Sequence, residues 1–430
     1  MNSTQDIKSR VEKATVCVVG LGYVGLPLVE AFAKKITVIG YDVNVKRVNA
    51  LSQQIKYPRL LFTSDPAKIA RADFVIICVP TPVTKVKDPD LTFVESAAAT
   101  IGKNLKKSAI VILESTVYPG VTEEIVKPVL ERESGLECIK DFKIGYAPER
   151  VNPGDNEHVI EKIWKVVSGI DEETTELIAG LYGMIIPHVF KARNIQTAEA
   201  AKVIENIQRD LNIALMNELS LIFEKLHLDT RDVLDAAGTK WNFHRYSPGL
   251  VGGHCIPVDP YFLVRRAQEY GYHSQVISAG RAINDGMPKH VAEMTIRALN
   301  DSGKVIKGSR VLVIGLTYKE NVPDTRETPQ KYLIEELKSY GILPFGYDPL
   351  LDITEAEAEF GVEMLEKLEG HPEFDAVILA VTHDIFKEKS PGISLEGLKG
   401  IMSEHPVLVD IRRYFDGQEA ESKGFYYRTL

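Results

Sequence analysis

The chain has little of what would tie it to a membrane, to nucleic acid or to an oxidising compartment. No apolar run approaches the roughly 20 residues that a membrane-spanning helix needs, and the opening MNSTQDIKSRVEK is polar, so no secretory signal is expected. Positive charge is in deficit: 51 Lys and Arg against 60 Asp and Glu leave a formal charge of -9. That balance argues against nucleic acid or an anionic membrane as the main partner. Cysteine is scarce and scattered, at Cys17, Cys78, Cys138 and Cys255, with no CxxC and no zinc spacing. A bound metal and a disulfide framework are therefore not expected, and a reduced cytoplasmic protein is. Low-complexity tracts and short-period repeats are also missing.

What remains is the composition of an ordinary globular protein, 44% hydrophobic and 26% charged. At 430 residues the chain exceeds one hydrophobic core, so two or three domains are expected. TVCVVG (15–20) reads as a buried parallel strand and runs into GLGYVG, which places Gly20, Gly22 and Gly25 in GxGxxG spacing. A helical LPLVEAFAKK and a second strand, ITVIGYD, follow and end at Asp42, 22 residues after Gly20. Strand, glycine turn, helix and acidic strand end together predict a dinucleotide site. The pyrophosphate would meet the turn and the helix N-terminus, and Asp42 would accept the ribose hydroxyls and repel a 2′-phosphate. NAD rather than NADP is the expected cofactor, contacted by Gly20, Gly22, Tyr23, Val24, Gly25, Asp42 and Arg47.

ADFVIICVPTP (72–82), SAIVILESTVYPG (108–120), FKIGYAPER (142–150) and IWKVVSGI (163–170) read as further strands of the same doubly wound sheet. Functional groups gather at the carboxyl ends of such strands, which carry Pro80, Thr81, Thr116, Glu149 and Arg150. From Thr197 the pattern changes to one long helix, with an apolar stripe at positions 200, 203, 204, 207, 211, 214, 215 and 219. Lys202 and Asn206 share a face of that helix. A helix lysine is most often solvated, and a helix of this length serves equally as an interdomain core or as a dimer spine. After a polar break near 300–309, RVLVIGLTYK, LPFGYD, FDAVILAVTH and HPVLVDIR supply a second sheet without GxGxxG, so a second NAD is not expected. Lys319 and Arg326 follow its first strand, where cations meet phosphate or carboxylate. GGHCIPVDP (252–260) holds the remaining puzzle, a cysteine between a glycine pair and an aspartate; free cysteine is usually a small buried hydrophobe.

GLGYVG, ESTVYPG, APERVNPG, AAKVIENIQ, GGHCIPVDP and YKENVPDTRE, in this order, resemble the nucleotide-sugar 6-dehydrogenases over essentially the whole chain. The resemblance implies an α/β fold of two Rossmann-like doubly wound parallel-sheet domains, joined by a central helical region with one long helix. The expected bounds are 1–195 for the NAD domain, 196–302 for the helical dimerisation and catalytic region, and 303–430 for the UDP-sugar domain. It also implies a homodimer or larger homo-oligomer. Carried over residue by residue, the thiol nucleophile falls on Cys255 and its supporting carboxylate on Asp259. Acid, base and oxyanion groups fall on Thr116, Glu149, Lys202 and Asn206. The UDP-sugar would be held by Glu149, Arg150, Val151, Lys202, Asn206, Arg245, Tyr246, Gly249, Gly252, Tyr318 and Lys319. Arg245 is a contact that a partner subunit could donate, and Arg326 would reach back toward NAD. Members acting on UDP-glucose carry a lysine where this chain has Val258. GGHCIPVDPYFL resembles the branch that takes UDP-N-acetylhexosamines, with UDP-N-acetylglucosamine favoured over the galacto and manno epimers.

Oxidising a primary alcohol to an acid removes four electrons, and NAD accepts two at a time. A thiolate that traps the intermediate aldehyde as a thiohemiacetal allows a second hydride to leave, and hydrolysis of the resulting thioester releases the acid. A single-step hydroxyacid-type dehydrogenase would need neither the cysteine nor the second sheet. A UDP-sugar-binding protein without catalysis would not need Cys255, Lys202 and Glu149 together.

Overall fold

A computed structural model of the protein describes residues 4–150, 162–368, 370, 373–388 and 393–430. It divides into two compact units, Met1–Asn206 with Val258–His273, and Ile207–Pro257 with Ser274–Leu430. The expected helical region 196–302 thus contributes residues to both.

The first unit is built on β1 (Thr15–Val19), β2 (Thr37–Tyr41), β3 (Leu60–Thr63), β4 (Phe74–Ile77), β5 (Ile110–Leu113), β6 (Lys143–Tyr146), β7 (Trp164–Gly169) and β8 (His188–Lys191). Their order is β3-β2-β1-β4-β5-β6-β7-β8. The central strands β4 and β5 are apolar at every position, and β1 at all but Thr15, because both faces are covered. Cys17, Val19, Val75, Ile77, Val111 and Leu113 enter one core. Val16, Val18, Phe74, Ile76, Ile110 and Ile112 enter the other. The strands through β6 pair in parallel as expected, with the order reversing between β1 and β4. At one edge the sheet departs from the all-parallel expectation: β7 runs antiparallel to β6, and β8 follows β7 in parallel. Alternating hydrophobicity fixes which face a residue takes but not which way its strand runs.

The second unit carries β9 (Arg310–Ile314), β10 (Leu343–Tyr347), β11 (Glu363–Met364), β12 (Phe374–Leu379), β13 (Met402–Asp410) and β14 (Tyr426–Arg428) in the order β11-β10-β9-β12-β13-β14. All described pairs are parallel. Val311, Val313, Ala376 and Ile378 pack on one face. Leu312, Ile314, Val377 and Leu379 pack on the other.

The long helix, Ile195–Leu226, has 32 residues. Val203, Ile207 and Ala214 of its apolar stripe are buried, whereas Ile204 and Leu215 are 52% and 50% exposed. Half of the buried positions are polar: Glu199, Lys202, Asn206, Asp210, Asn217 and Ser220 recur at three-, four- and seven-residue spacing. Such groups lie inside only where partners meet them. Asp210 has Arg281 and Asn284, and Asn217 bonds Asn284 and both backbone groups of Gly249. Among the described residues no helix is long and apolar enough to cross a membrane.

Candidate active site

In the first unit the glycine turn leaves β1 at Gly20, whose φ of +97° lies in the region that glycine tolerates. A Cβ on Gly20 would come within 2.6 Å of the Cys78 carbonyl oxygen, and one on Gly25 within 1.9 Å of the Gly20 oxygen, so strand, turn and helix close on each other. A Cβ on Gly22 would meet nothing within 4 Å. That open side is where a pyrophosphate fits, facing the N-terminus of the helix Gly25–Ala33. Asp42 accepts hydrogen bonds from the amides of Leu21 and Asn44, each at 2.8 Å. Arg47 donates from Nε to the Leu21 carbonyl at 2.6 Å. Tyr23 is exposed and Val24 half-buried beside the turn, and Pro80 and Thr81 follow β4 across the switch point.

Lys202, Asn206 and Asp259 come together in the same unit. Asn206 Nδ2 donates to Asp259 Oδ2 at 2.5 Å. Burial pushes the Asp259 carboxyl up to about 6, against the downward pull of the Lys202 charge and the Asn206 amide. Thr116 lies half-buried just past β5. Glu149 Oε1 accepts the amide of Arg150 at 2.7 Å, and Arg150 pairs with Glu205 at 2.8 Å and donates to the Trp164 carbonyl. Val151 lies outside the described residues.

Two groups of this unit escaped the sequence reading. Glu199, fully buried one turn before Lys202, accepts from the amides of Gly120 (2.6 Å) and Thr122 (2.9 Å) and from Thr122 Oγ1 (2.7 Å). Arg266 lies over Tyr118 at 5.5 Å and pairs with Glu124. Together they hold the turn after β5 against the long helix and against the helix Asp259–Glu269. Beneath it Glu114 is fully buried against Lys165 and Tyr182, and burial lifts its carboxyl to about 7 while Lys165 pulls it down.

The second unit holds Cys255, the one cysteine of the four that is not buried. Gly253 has φ +90°, and a Cβ there would lie 2.7 Å from the Tyr318 ring; one on Gly252 would lie 2.5 Å from Pro329. The two glycines thus let Tyr318 and Pro329 pack close to this turn. Gly249 packs against Arg412, which sequence reading had not singled out. Arg326 is paired with Asp324 at 2.5 Å. Arg245 is exposed, pairs with Asp235 at 3.2 Å and lies over Gly238, next to half-buried Tyr246. Four residues earlier, Trp241 is 92% exposed.

Lys319 occupies a turn pinned at several points. Thr317 Oγ1 donates to its carbonyl at 3.0 Å, and the Asn321 amide donates to His383 Nδ1 at 2.9 Å. His383 Nε2 lies 3.1 Å from Asp348 Oδ2, the same oxygen that accepts from Leu316 at 2.7 Å and Thr317 at 3.2 Å. Asp348 follows β10 as Asp42 follows β2. Here a buried histidine lies against the carboxylate.

Comparison with known proteins agrees with both halves. Residues 14–58 and 50–186 match the NAD binding domain of the UDP-glucose/GDP-mannose dehydrogenase family, 196–286 its central domain and 312–417 its UDP binding domain. Protein CapL of Staphylococcus aureus is 49% identical over 92% of this chain and 98% of its own length. A UDP-N-acetyl-D-glucosamine 6-dehydrogenase of Pseudomonas aeruginosa is 46% identical over 94% and 98%. A solved UDP-D-ManNAc dehydrogenase from Pyrococcus horikoshii superposes with a TM-score of 0.86 at 29% identity, over 97% of this chain and 99% of that one. With its NAD-type turn and its UDP-type sheet, the chain belongs to the UDP-glucose/GDP-mannose dehydrogenase family.

Proposed function

We propose that the protein is a UDP-N-acetylhexosamine 6-dehydrogenase. In this reading it oxidises C6 of UDP-N-acetylglucosamine by four electrons to the uronic acid, in the cytoplasm, for surface polysaccharide precursors. The observation that carries the substrate choice is the identity of 46% and 43%, over more than nine-tenths of the chain, to two proteins named UDP-N-acetyl-D-glucosamine 6-dehydrogenase. Val258 agrees with it: the side chain is 3% exposed and packed among apolar residues, where the lysine of UDP-glucose members would bury a charge.

NAD, when bound, takes up one hydride per oxidation step. The chain's own residues do the rest. Lys202 and Asn206 stabilise the alkoxide and the oxyanions that form at C6. Thr116 and Glu149 bind and orient the reacting hydroxyl. Cys255 holds the aldehyde covalently, and Asp259 or Glu149 draws the proton from the water that releases the acid. Tyr318, Lys319, Tyr246 and Gly249 hold the nucleotide sugar, Arg326 reaches toward NAD, and Arg245 serves a partner's site. Val151 completes this set from the sequence alone. A homodimer is supported by Leu215, Ile222 and Leu226, exposed at seven- and four-residue spacing on the long helix.

A panel of UDP-sugars, read by NADH absorbance and product mass, tests the reading. Two NADH per UDP-N-acetylglucosamine and a uronic acid product are expected. Fastest turnover of UDP-glucose or of the manno epimer overturns the substrate choice. Leu215→Lys with Ile222→Lys should halve the mass measured by light scattering.

A further inference from the structure

We propose that His254 is a catalytic residue, the base that takes the thiol proton of Cys255 and later returns it. The proposal rests on the reading of Cys255 as the covalent carrier and adds its activating partner. His254 Nδ1 lies 3.2 Å from Cys255 Sγ, within the reach of a sulfur hydrogen bond. The ring is held from outside the pair. Gly253, having no side chain, lets the Tyr318 ring lie across the turn, and His254 meets that ring edge-on at 6.2 Å and 64°. Tyr318 in turn is fixed by its amide, which donates to the Asp324 carbonyl at 3.0 Å.

Asp324 and Arg326, which follow β9 with Tyr318, bear on the pair. Burial works against the Asp324 carboxylate, but the hydrogen bonds of Arg326 hold it below the usual range and the His254 charge adds to them. Asp324, then Tyr318 and Cys255, keep Arg326 above its ordinary value. An imidazolium formed at His254 thus has a carboxylate nearby, and a thiolate formed at Cys255 has a guanidinium. That is the environment in which a cysteine–histidine pair gains a reactive thiolate.

The proton and electron balance follows. As Sγ adds to the C6 aldehyde, the S–C6 bond forms and the C=O π pair moves onto oxygen, while the thiol proton passes to Nδ1. A hydride then leaves C6 of that alkoxide for NAD as the C=O bond re-forms, giving the thioester. Water adds at C6 as its proton passes to Asp259 or Glu149, the C6–S bond breaks, and the departing thiolate recovers its proton from the imidazolium. The cycle leaves Cys255 and His254 as they began.

Alkylation by iodoacetamide measures the thiolate without turnover, and Cys255→Ser identifies the labelled site because the other three cysteines are buried. His254→Ala and His254→Asn should both slow labelling at pH 7 by about tenfold or more, as an ordinary thiol ionises near pH 8.5. Both should recover to within a few-fold of the unaltered protein at pH 9.5. His254→Asn keeps an acceptor near Nδ1 but cannot take a proton, and binding of UDP-N-acetylglucosamine within about twofold of normal will confirm that it folds. Unchanged labelling in both variants overturns the proposal, as does a loss confined to Arg326→Met. Undiminished uronic acid formation by Cys255→Ala would instead overturn the covalent reading itself.

Discussion

Asn206 Nδ2 reaches Asp259 Oδ2 at 2.5 Å, joining a side chain one turn beyond Lys202 to the first residue of the helix Asp259–Glu269. Asp259 is 2% exposed, and burial lifts it to about 6 against the pull of Lys202 and Asn206. The proposed mechanism uses its carboxylate form. Activity should therefore fall as pH drops through about 6, roughly tenfold per unit below it. Asn206→Ala removes a bond to the carboxylate and should move that acid limb to higher pH. An unmoved limb would show that another group sets it.

Stability should run the other way. A carboxyl whose folded value lies above the ordinary aspartate value favours folding most in acid, and loses that contribution as pH rises through about 6. Asp259→Asn relieves the burial of charge, so at pH 7.5 its melting temperature should equal or exceed that of the unaltered protein, while kcat drops about a hundredfold. Parallel loss of both would make Asp259 a structural residue.

Glu199 should matter without touching substrate. Replacing it by alanine strands the buried amides of Gly120 and Thr122, each at a cost of about 1–3 kcal/mol. Glu199→Ala should lower the melting temperature by several degrees and kcat by about tenfold, with the KM for NAD nearly unchanged. Glu199→Gln, which keeps one oxygen for Thr122, should recover part of both. Burial raises Glu199 to about 7 despite its donors, so its own contribution to stability fades as pH climbs through neutrality.

Cofactor choice should follow Asp42. Asp42→Ala removes the carboxylate from the strand end and should raise the KM for NAD about tenfold while narrowing the preference over NADP. Equal efficiency of the two cofactors in the unaltered protein would refute the assignment.

His383 and Asp348 should set affinity for the nucleotide sugar alone. Nδ1 accepts from Asn321, so the proton sits on Nε2 and is donated to Asp348. Burial alone would raise Asp348, yet the His383 bond and the Leu350 and Leu316 amides hold it below the usual carboxylate range. His383→Ala releases the turn that carries Lys319. The KM for the UDP-sugar should rise about tenfold and that for NAD less than twofold; equal changes in both would mean general damage.

The glycine turn at Gly20–Gly25 was legible because each of its parts is local: strand, φ-positive glycine, helix and acidic strand end lie within the 28 residues from Thr15 to Asp42. The long helix was legible as an element but not in its orientation. Hydropathy marks Ile204 and Leu215 for burial, yet they are exposed, and the inward stripe of Glu199, Lys202, Asn206, Asp210 and Asn217 is polar. Its spacing is in the sequence. What hides its meaning is that the partners Gly120, Asp259, Arg281 and Gly249 are 32 to 79 residues away along the chain. The reversal of β7 and the covering of Asp348 by His383 were hidden for the same reason, since both are properties of pairs.

Trp241 gives the protein a built-in optical reporter. The chain has two tryptophans. Trp164 is stacked on His188 with ring centroids 5.0 Å apart, whereas Trp241 stands almost wholly in solvent, five residues before Tyr246. Its emission should lie at the red, water-exposed limit. Any ligand or second subunit that covers the segment around Arg245 and Tyr246 will shift that emission to the blue, so binding can be followed in the unlabelled protein, and Trp241→Phe supplies the blank.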